Sequence, residues 1–186
     1  MFSVLRELYI WFYALNIFKA IAMVFAAILL WSLLGVTLSR WNQKLWRILN
    51  GTVFAAVVAL IAYITLFRNP TGRHLVLQPF YTIVRALKNR EAYRSALMNV
   101  ILFVPVGLTI PYILPSRWKP ARRVLFAVGL ALVISTALET LQYCFCVGMT
   151  EMDDVITNTF GAFVGALQFP IAALFQRCFF KKRSSL

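Results

Sequence analysis

Residues 135–165 read STALETLQYCFCVGMTEMDDVITNTFGAFVG, and the reading of this stretch decides the fold. An apolar segment carries Ser135, Glu139 and Gln142, spaced i, i+4, i+7, so on a helix they share one face. An acidic turn follows, Glu151-Met152-Asp153-Asp154. A second apolar segment places Asp154, Asn158, Gly161 and Gly165 at i, i+4, i+7, i+11, again on one helical face. Gly161-x-x-x-Gly165 is a small-residue spacing that lets a second helix approach closely. A carboxylate inside an apolar span costs ~2.5–3.5 kcal/mol on insertion scales and usually marks function. The expectation is two membrane helices whose polar groups meet in one pocket near one membrane face.

The rest of the chain supports a membrane setting. It is 61% hydrophobic, with a mean hydropathy of +0.78; a soluble domain is about 45–50% apolar. The apolar blocks reach the roughly 20 residues needed to cross a bilayer. They fall at about 17–38, 48–67, 97–114, 124–143 and 155–175. The expected fold is all-α: a polytopic membrane protein with about five transmembrane helices, forming a single domain over 1–186. Residues 2–16, with Tyr9, Trp11 and Tyr13, read as an interfacial helix; Arg6 beside Glu7 and the lack of a small-residue cleavage site argue against a cleavable signal. Pro105 and Pro111 interrupt the third span, with Gly107 nearby, so a kink and freed carbonyls are expected there.

The longest polar connection is 68–96, which begins at the break Arg68-Asn69-Pro70-Thr71-Gly72. Within it Leu77, Phe80, Tyr81, Val84 and Leu87 recur at helical spacing, with Arg85 and Lys88 on the other side. That pattern predicts an amphipathic interfacial helix between spans two and three. The alternative is a solvated basic loop.

The net charge is +13, and no nucleic-acid recognition motif accompanies it. The basic residues sit between apolar blocks, which points to membrane orientation and lipid rather than nucleic acid. Arg40, Lys44 and Arg47, then Arg117, Lys119, Arg122 and Arg123, then Arg177, Lys181, Lys182 and Arg183 all fall on one side of a five-span topology. The positive-inside rule makes that side, and the C-terminus, cytoplasmic; the acidic turn 150–154 is then extracellular. The basic 68–96 connection also falls outside, against the rule. Either a span is missed or re-entrant, or the charge is wanted there, near the acidic turn; the second is preferred because three short segments agree on the topology.

On this topology Asn99, Glu139, Gln142, Asp153 or Asp154, and Asn158 fall in the outer half of the membrane, from separate helices. Each also has a plainer use. Thr150-x-x-Asp153 fits a variant capping box, Asn99 and Asn158 fit interhelical hydrogen bonding, and Glu139 fits a buried ion pair with an arginine from elsewhere. Zinc-protease, nucleophile-elbow and phosphate-loop motifs are absent from the sequence. Cys144 and Cys146 without a histidine cluster make a poor metal site, so neither metal nor cofactor is expected. Carboxylates, amides and arginines remain. They suit acid–base chemistry, headgroup binding or a proton relay.

Two motifs carry a family resemblance. Asn99-x-x-x-Phe103-x-Pro105-x-Gly107 is one. Glu139-x-x-Gln142 followed by Asp153-Asp154-x-x-x-Asn158-Thr159-x-Gly161-x-x-x-Gly165 is the other. Over about residues 60–170 the chain resembles the VanZ-like family of bacterial membrane proteins. Many members carry an arginine before the acidic pair, where this chain has Met149-Thr150. The resemblance implies a bacterial cytoplasmic membrane location and a link to low-level resistance to glycopeptides, above all lipid-tailed teicoplanin. It supplies no mechanism, and three remain open. A binding or shielding protein would limit drug access to the cell-wall precursor at the outer leaflet, with Asn99, Ser135, Gln142, Asp153, Asn158, Arg85 and Lys88 lining the pocket. An intramembrane enzyme would use Glu139 and Asp154 as acid and base on a lipid or lipid-linked precursor. A small transporter would relay protons through Glu139. Expected partners are membrane lipids or a lipid-linked precursor, and the glycopeptide itself. Phe103, Pro105, Gly107, Gly161 and Gly165 are assigned structural roles.

Overall fold

The computed structural model describes residues 17–67 and 72–180. The expected helix at 2–16, the break at 68–71 and the basic tail 181–186 lie outside the described residues. Helices α1 (Ile17–Trp41) and α2 (Gln43–Leu66) come first, then strand β1 (His74–Val76) and helix α3 (Tyr81–Ala86). Helices α4 (Arg90–Ile113) and α5 (Pro120–Phe145), strand β2 (Met149–Glu151) and helix α6 (Met152–Phe180) complete the order. Among the described residues five helices are long and apolar enough to span a membrane. The chain is an all-α polytopic membrane protein, as its apolar blocks require.

The helix boundaries follow local chemistry. Asn42 Oδ1 accepts the Leu45 amide at 3.0 Å and starts α2. Asn89 Oδ1 accepts the amides of Glu91 (2.8 Å) and Ala92 (3.3 Å) and starts α4. This satisfies amides that no helical carbonyl can reach. The third span therefore starts earlier than the expected residue 97. Its first turns carry Arg90, Glu91 and Arg94, so an apolar-run criterion reads them as loop. Pro120 opens α5, where a missing N–H is tolerated. Cys146 closes it with φ 58°, in the left-handed region.

Burial is uneven. Only 6% of the apolar window of α1 is buried, against 44% for α4, so α4 is the central helix and α1 the peripheral one. Phe103, Val106 and Ile110 of α4 pack with Ala127 and Ala131 of α5, Ala162 and Ala166 of α6, and Ile61 of α2. Backbones approach closely because the contact positions are glycines. A β-carbon at Gly161 would overlap the carbonyl oxygen of Val100, one at Gly165 that of Val104, and one at Gly107 that of Ala162. Lipid tails are as apolar as leucine, so such dispersion contacts, rather than water exclusion, hold membrane helices together. Some buried hydroxyls are satisfied within their own helices: Thr109 and Thr157 donate to Pro105 O (2.9 Å) and Asp153 O (2.9 Å).

The connection between α2 and α4 departs from expectation. The helix covers only 81–86, shorter than the 77–87 periodicity predicts. Before it, β1 pairs in parallel with β2, His74 opposite Met149 and Val76 opposite Glu151. Two three-residue strands with no alternation to detect leave no local signal of this pairing. It fastens the basic connection to the acidic turn, at the same end of the bundle.

Candidate functional site: a polar cluster at the acidic-turn end

Ser135, Glu139 and Gln142 lie on the buried face of α5. Asp153 and Asn158 lie buried on α6, and Asp154 is half-buried on its first turn. Asn158 Nδ2 donates to Ser135 Oγ at 2.9 Å, joining the two helices inside the bundle. Glu139 is only 7% exposed, and its Oε2 accepts the Glu151 amide of β2 at 3.2 Å. The Thr150 hydroxyl donates to the Glu139 carbonyl at 3.3 Å. Gln142 is buried beneath Gly148, whose φ of 76° turns the chain from α5 into β2. Thus Ser135, Glu139, Gln142 and Asn158 are gathered where α5, β2 and α6 meet.

Asp153 faces a different way. Its Oδ1 accepts the Phe80 amide at 2.6 Å, and its Oδ2 accepts those of Thr82 (2.6 Å) and Ile83 (3.0 Å). It caps α3, a helix some seventy residues earlier in sequence, rather than the helix it sits on. Carboxylate oxygens facing the positive end of a helix make charge-assisted bonds. Thr82 Oγ1 adds a bond to Glu151 Oε2 at 2.6 Å. The Thr150–Asp153 capping box therefore does not form, because both side chains are engaged elsewhere.

Asn99 lies on α4 beside Val100, whose carbonyl faces Gly161, and so at the level of that glycine on α6. Its Nδ2 is buried with no hydrogen-bond acceptor. Phe103 and Gly107 are buried in the core and Pro105 half-buried, as expected of scaffold. Arg85 and Lys88 are exposed and do not join the buried cluster. Around them Leu77, Phe80, Val84 and Leu87 are also exposed, the last at 83%. Arg73 lies 5.7 Å from the Tyr143 ring, and a hydrogen bond with the Cys146 side chain holds the guanidinium above the ordinary arginine range. Among the described residues no group of His, Cys, Asp and Glu could hold a metal ion.

Two cavities stand out, and both lie at the opposite end of the bundle, one against Leu38, Asn42 and Leu49, the other between Arg47, Tyr112 and Arg123. At that end sequence reasoning missed two groups. Gln168, buried on α6, accepts from Ser32 Oγ at 3.2 Å and donates to the Tyr112 hydroxyl at 2.9 Å. Arg123, read only as an orienting charge, donates to Pro111 O (2.9 Å) and Pro115 O (2.7 Å), closing the C-terminal end of α4. Pro111 O is among the last carbonyls of α4, which no helical N–H can reach, but nothing in the sequence names the donor.

The model of the VanZ/LLP1 family matches residues 22–175, a span that takes in the first helix and exceeds the 60–170 carried by the motifs. The chain is 32% identical over 128 residues to Protein VanZ of Enterococcus faecium. That alignment covers 64% of this chain and 72% of the relative. No solved structure matches.

Proposed function

The chain belongs to the VanZ/LLP1 family, and on that premise we propose that it limits the access of lipid-tailed glycopeptides, teicoplanin above all, to cell-wall precursor at the outer leaflet. In this reading the acidic-turn end faces outward and the C-terminus lies in the cytoplasm. The observation that carries it is the docked connection. The parallel β1–β2 pairing and the Asp153 cap hold α3 at that end, with Leu77, Phe80, Val84 and Leu87 exposed beside Arg85 and Lys88. An exposed apolar face flanked by cations suits the headgroup boundary, where it meets both acyl chains and phosphates. A lipid-tailed drug and a pyrophosphate-linked precursor present the same two chemistries. Asp153, expected among the pocket residues, is committed instead to three backbone amides of α3.

The test compares variants in a susceptible bacterium at matched protein levels. Reversing charge at Arg85 and Lys88 abolishes protection against teicoplanin, while Glu139→Gln, which keeps shape and hydrogen bonding, retains it. Protection that survives the double reversal sinks the shielding role.

One observation favours a second reading. The buried Asn99 amide nitrogen without an acceptor, together with the buried Glu139 carboxylate of α5, fits an enzyme that binds an oxygen-rich lipid substrate and uses Glu139 as acid or base. In that case Glu139→Gln abolishes protection, and lipid extracts of cells with and without the protein differ by a species seen in mass spectrometry.

A further inference from the structure

Residues 73–88 form a strap of β1 and α3 at the acidic-turn end, and polar ties hold it there. Asp153 accepts the amides of Phe80, Thr82 and Ile83, and the Thr82 hydroxyl donates to Glu151 Oε2. β1 pairs with β2, and Arg73 hydrogen-bonds the Cys146 side chain. Apolar burial adds little, since Leu77, Phe80, Tyr81, Val84 and Leu87 are all exposed. Segments with few buried apolar contacts open locally, well below the free energy of global unfolding. The backbone is strained along the same seam. Among the described residues, Phe80 (φ 63°) and Cys146 (φ 58°) are the two that hold left-handed backbone without being glycine. Each sits at one of the ties, Phe80 through its amide to Asp153 and Cys146 through its thiol to Arg73. A bulky residue in that conformation is costly and persists only where its surroundings hold it, typically at clamps and switch regions. The seam also reaches the polar cluster. Among the described residues β1 is the only strand beside β2. The Glu151 amide of β2 donates to Glu139 Oε2 at 3.2 Å, and the Thr150 hydroxyl donates to the Glu139 carbonyl, so β2 roofs the buried Glu139.

We propose that the 73–88 strap opens along this seam as a unit, that backbone strain at Phe80 favours the opening, and that opening loosens β2 and uncovers Glu139. Closed, the strap fastens β2 over the carboxylate. Open, it leaves β2 without its strand partner. The device governs access to the polar cluster and stands whether or not the protein shields precursor.

The test is hydrogen exchange of the full chain in detergent, read residue by residue where exchange follows the opening equilibrium. In the unaltered protein the amides of Thr82, Ile83 and Glu151 exchange together, and faster than those in the middle of α4. Two variants separate backbone strain from loss of the exposed ring. Phe80→Ala removes the ring but keeps a β-carbon on left-handed backbone, whereas Phe80→Gly removes both. Exchange at Thr82, Ile83 and Glu151 is roughly fivefold slower in Phe80→Gly than in Phe80→Ala, the low end of what such strain supplies. Exchange in α4 is the same in both, which shows that each variant is folded. Equal or faster exchange in Phe80→Gly overturns the strain. Slowing at Thr82 and Ile83 that leaves Glu151 unchanged overturns the link to the roof over Glu139. Exchange of all three amides at the α4 rate overturns the separate opening.

Discussion

Two charged side chains each close the end of a helix that is not their own. Asp153 of α6 accepts three amides at the start of α3, and Arg123 of α5 donates to Pro111 and Pro115 at the end of α4. Both placements complement the helix dipole. Removing the carboxylate by Asp153→Ala leaves those amides without an acceptor, at a cost of about 2–4 kcal/mol given the strength of bonds to a charged group. Thermal unfolding in detergent then shifts downward. Hydrogen exchange gives the sharper readout: the amides of Phe80, Thr82 and Ile83 lose protection while those of α4 keep theirs. Unchanged exchange at 80–83 refutes the cap. The acid in the first turn of α6 is legible in the sequence as a capping residue, but which helix it caps depends on a contact between segments far apart in the chain.

Among the helices, the pairing of α4 with α6 carries the most consequence. Gly107, Gly161 and Gly165 each face a backbone carbonyl of the other helix. A methyl group there cannot be absorbed by a rotamer change, because the opposing atoms are main chain. Gly161→Ala and Gly165→Ala therefore push the helices apart and destabilise by roughly 1–3 kcal/mol each, the usual cost of overpacking. Abundance in membranes and thermal stability in detergent report it. Gly129→Ala, on α5 with open space around it, is the control that leaves both unchanged. The small-residue spacing on α6 is readable from sequence alone. Its partner is not, since any of the other spans has the apolar composition to receive it. For α3, the exposed apolar side chains predict contact with lipid: a tryptophan at Leu87 shows blue-shifted emission, quenched by brominated lipids. Emission typical of water rejects that placement.

At the level of topology, the basic connection and the acidic turn share one end, joined by β1 and β2. Their common location follows from the fold; which side of the membrane it faces follows from the proposal. Cys144 is exposed at that end and serves as a native probe. With Cys146→Ser and Cys178→Ser in place, an impermeant thiol reagent labels Cys144 in whole cells. Labelling only after the cytoplasm is opened inverts the proposed orientation.

The number of spans, their approximate limits, the shared faces on α5 and α6 and the tight glycine contacts were all set by local pattern. Apolar length and helical periodicity are properties of neighbouring residues, so they are legible without coordinates. The tertiary structure alone decided the rest: that Asp153 serves α3, that Arg123 serves α4, that α3 begins only at Tyr81, and that two cavities form at the end away from the acidic turn. Each of those depends on which distant backbone group a buried charge or donor meets. Within a membrane a polar group must find its partner in the protein, and that partner is chosen by packing rather than by proximity in the chain.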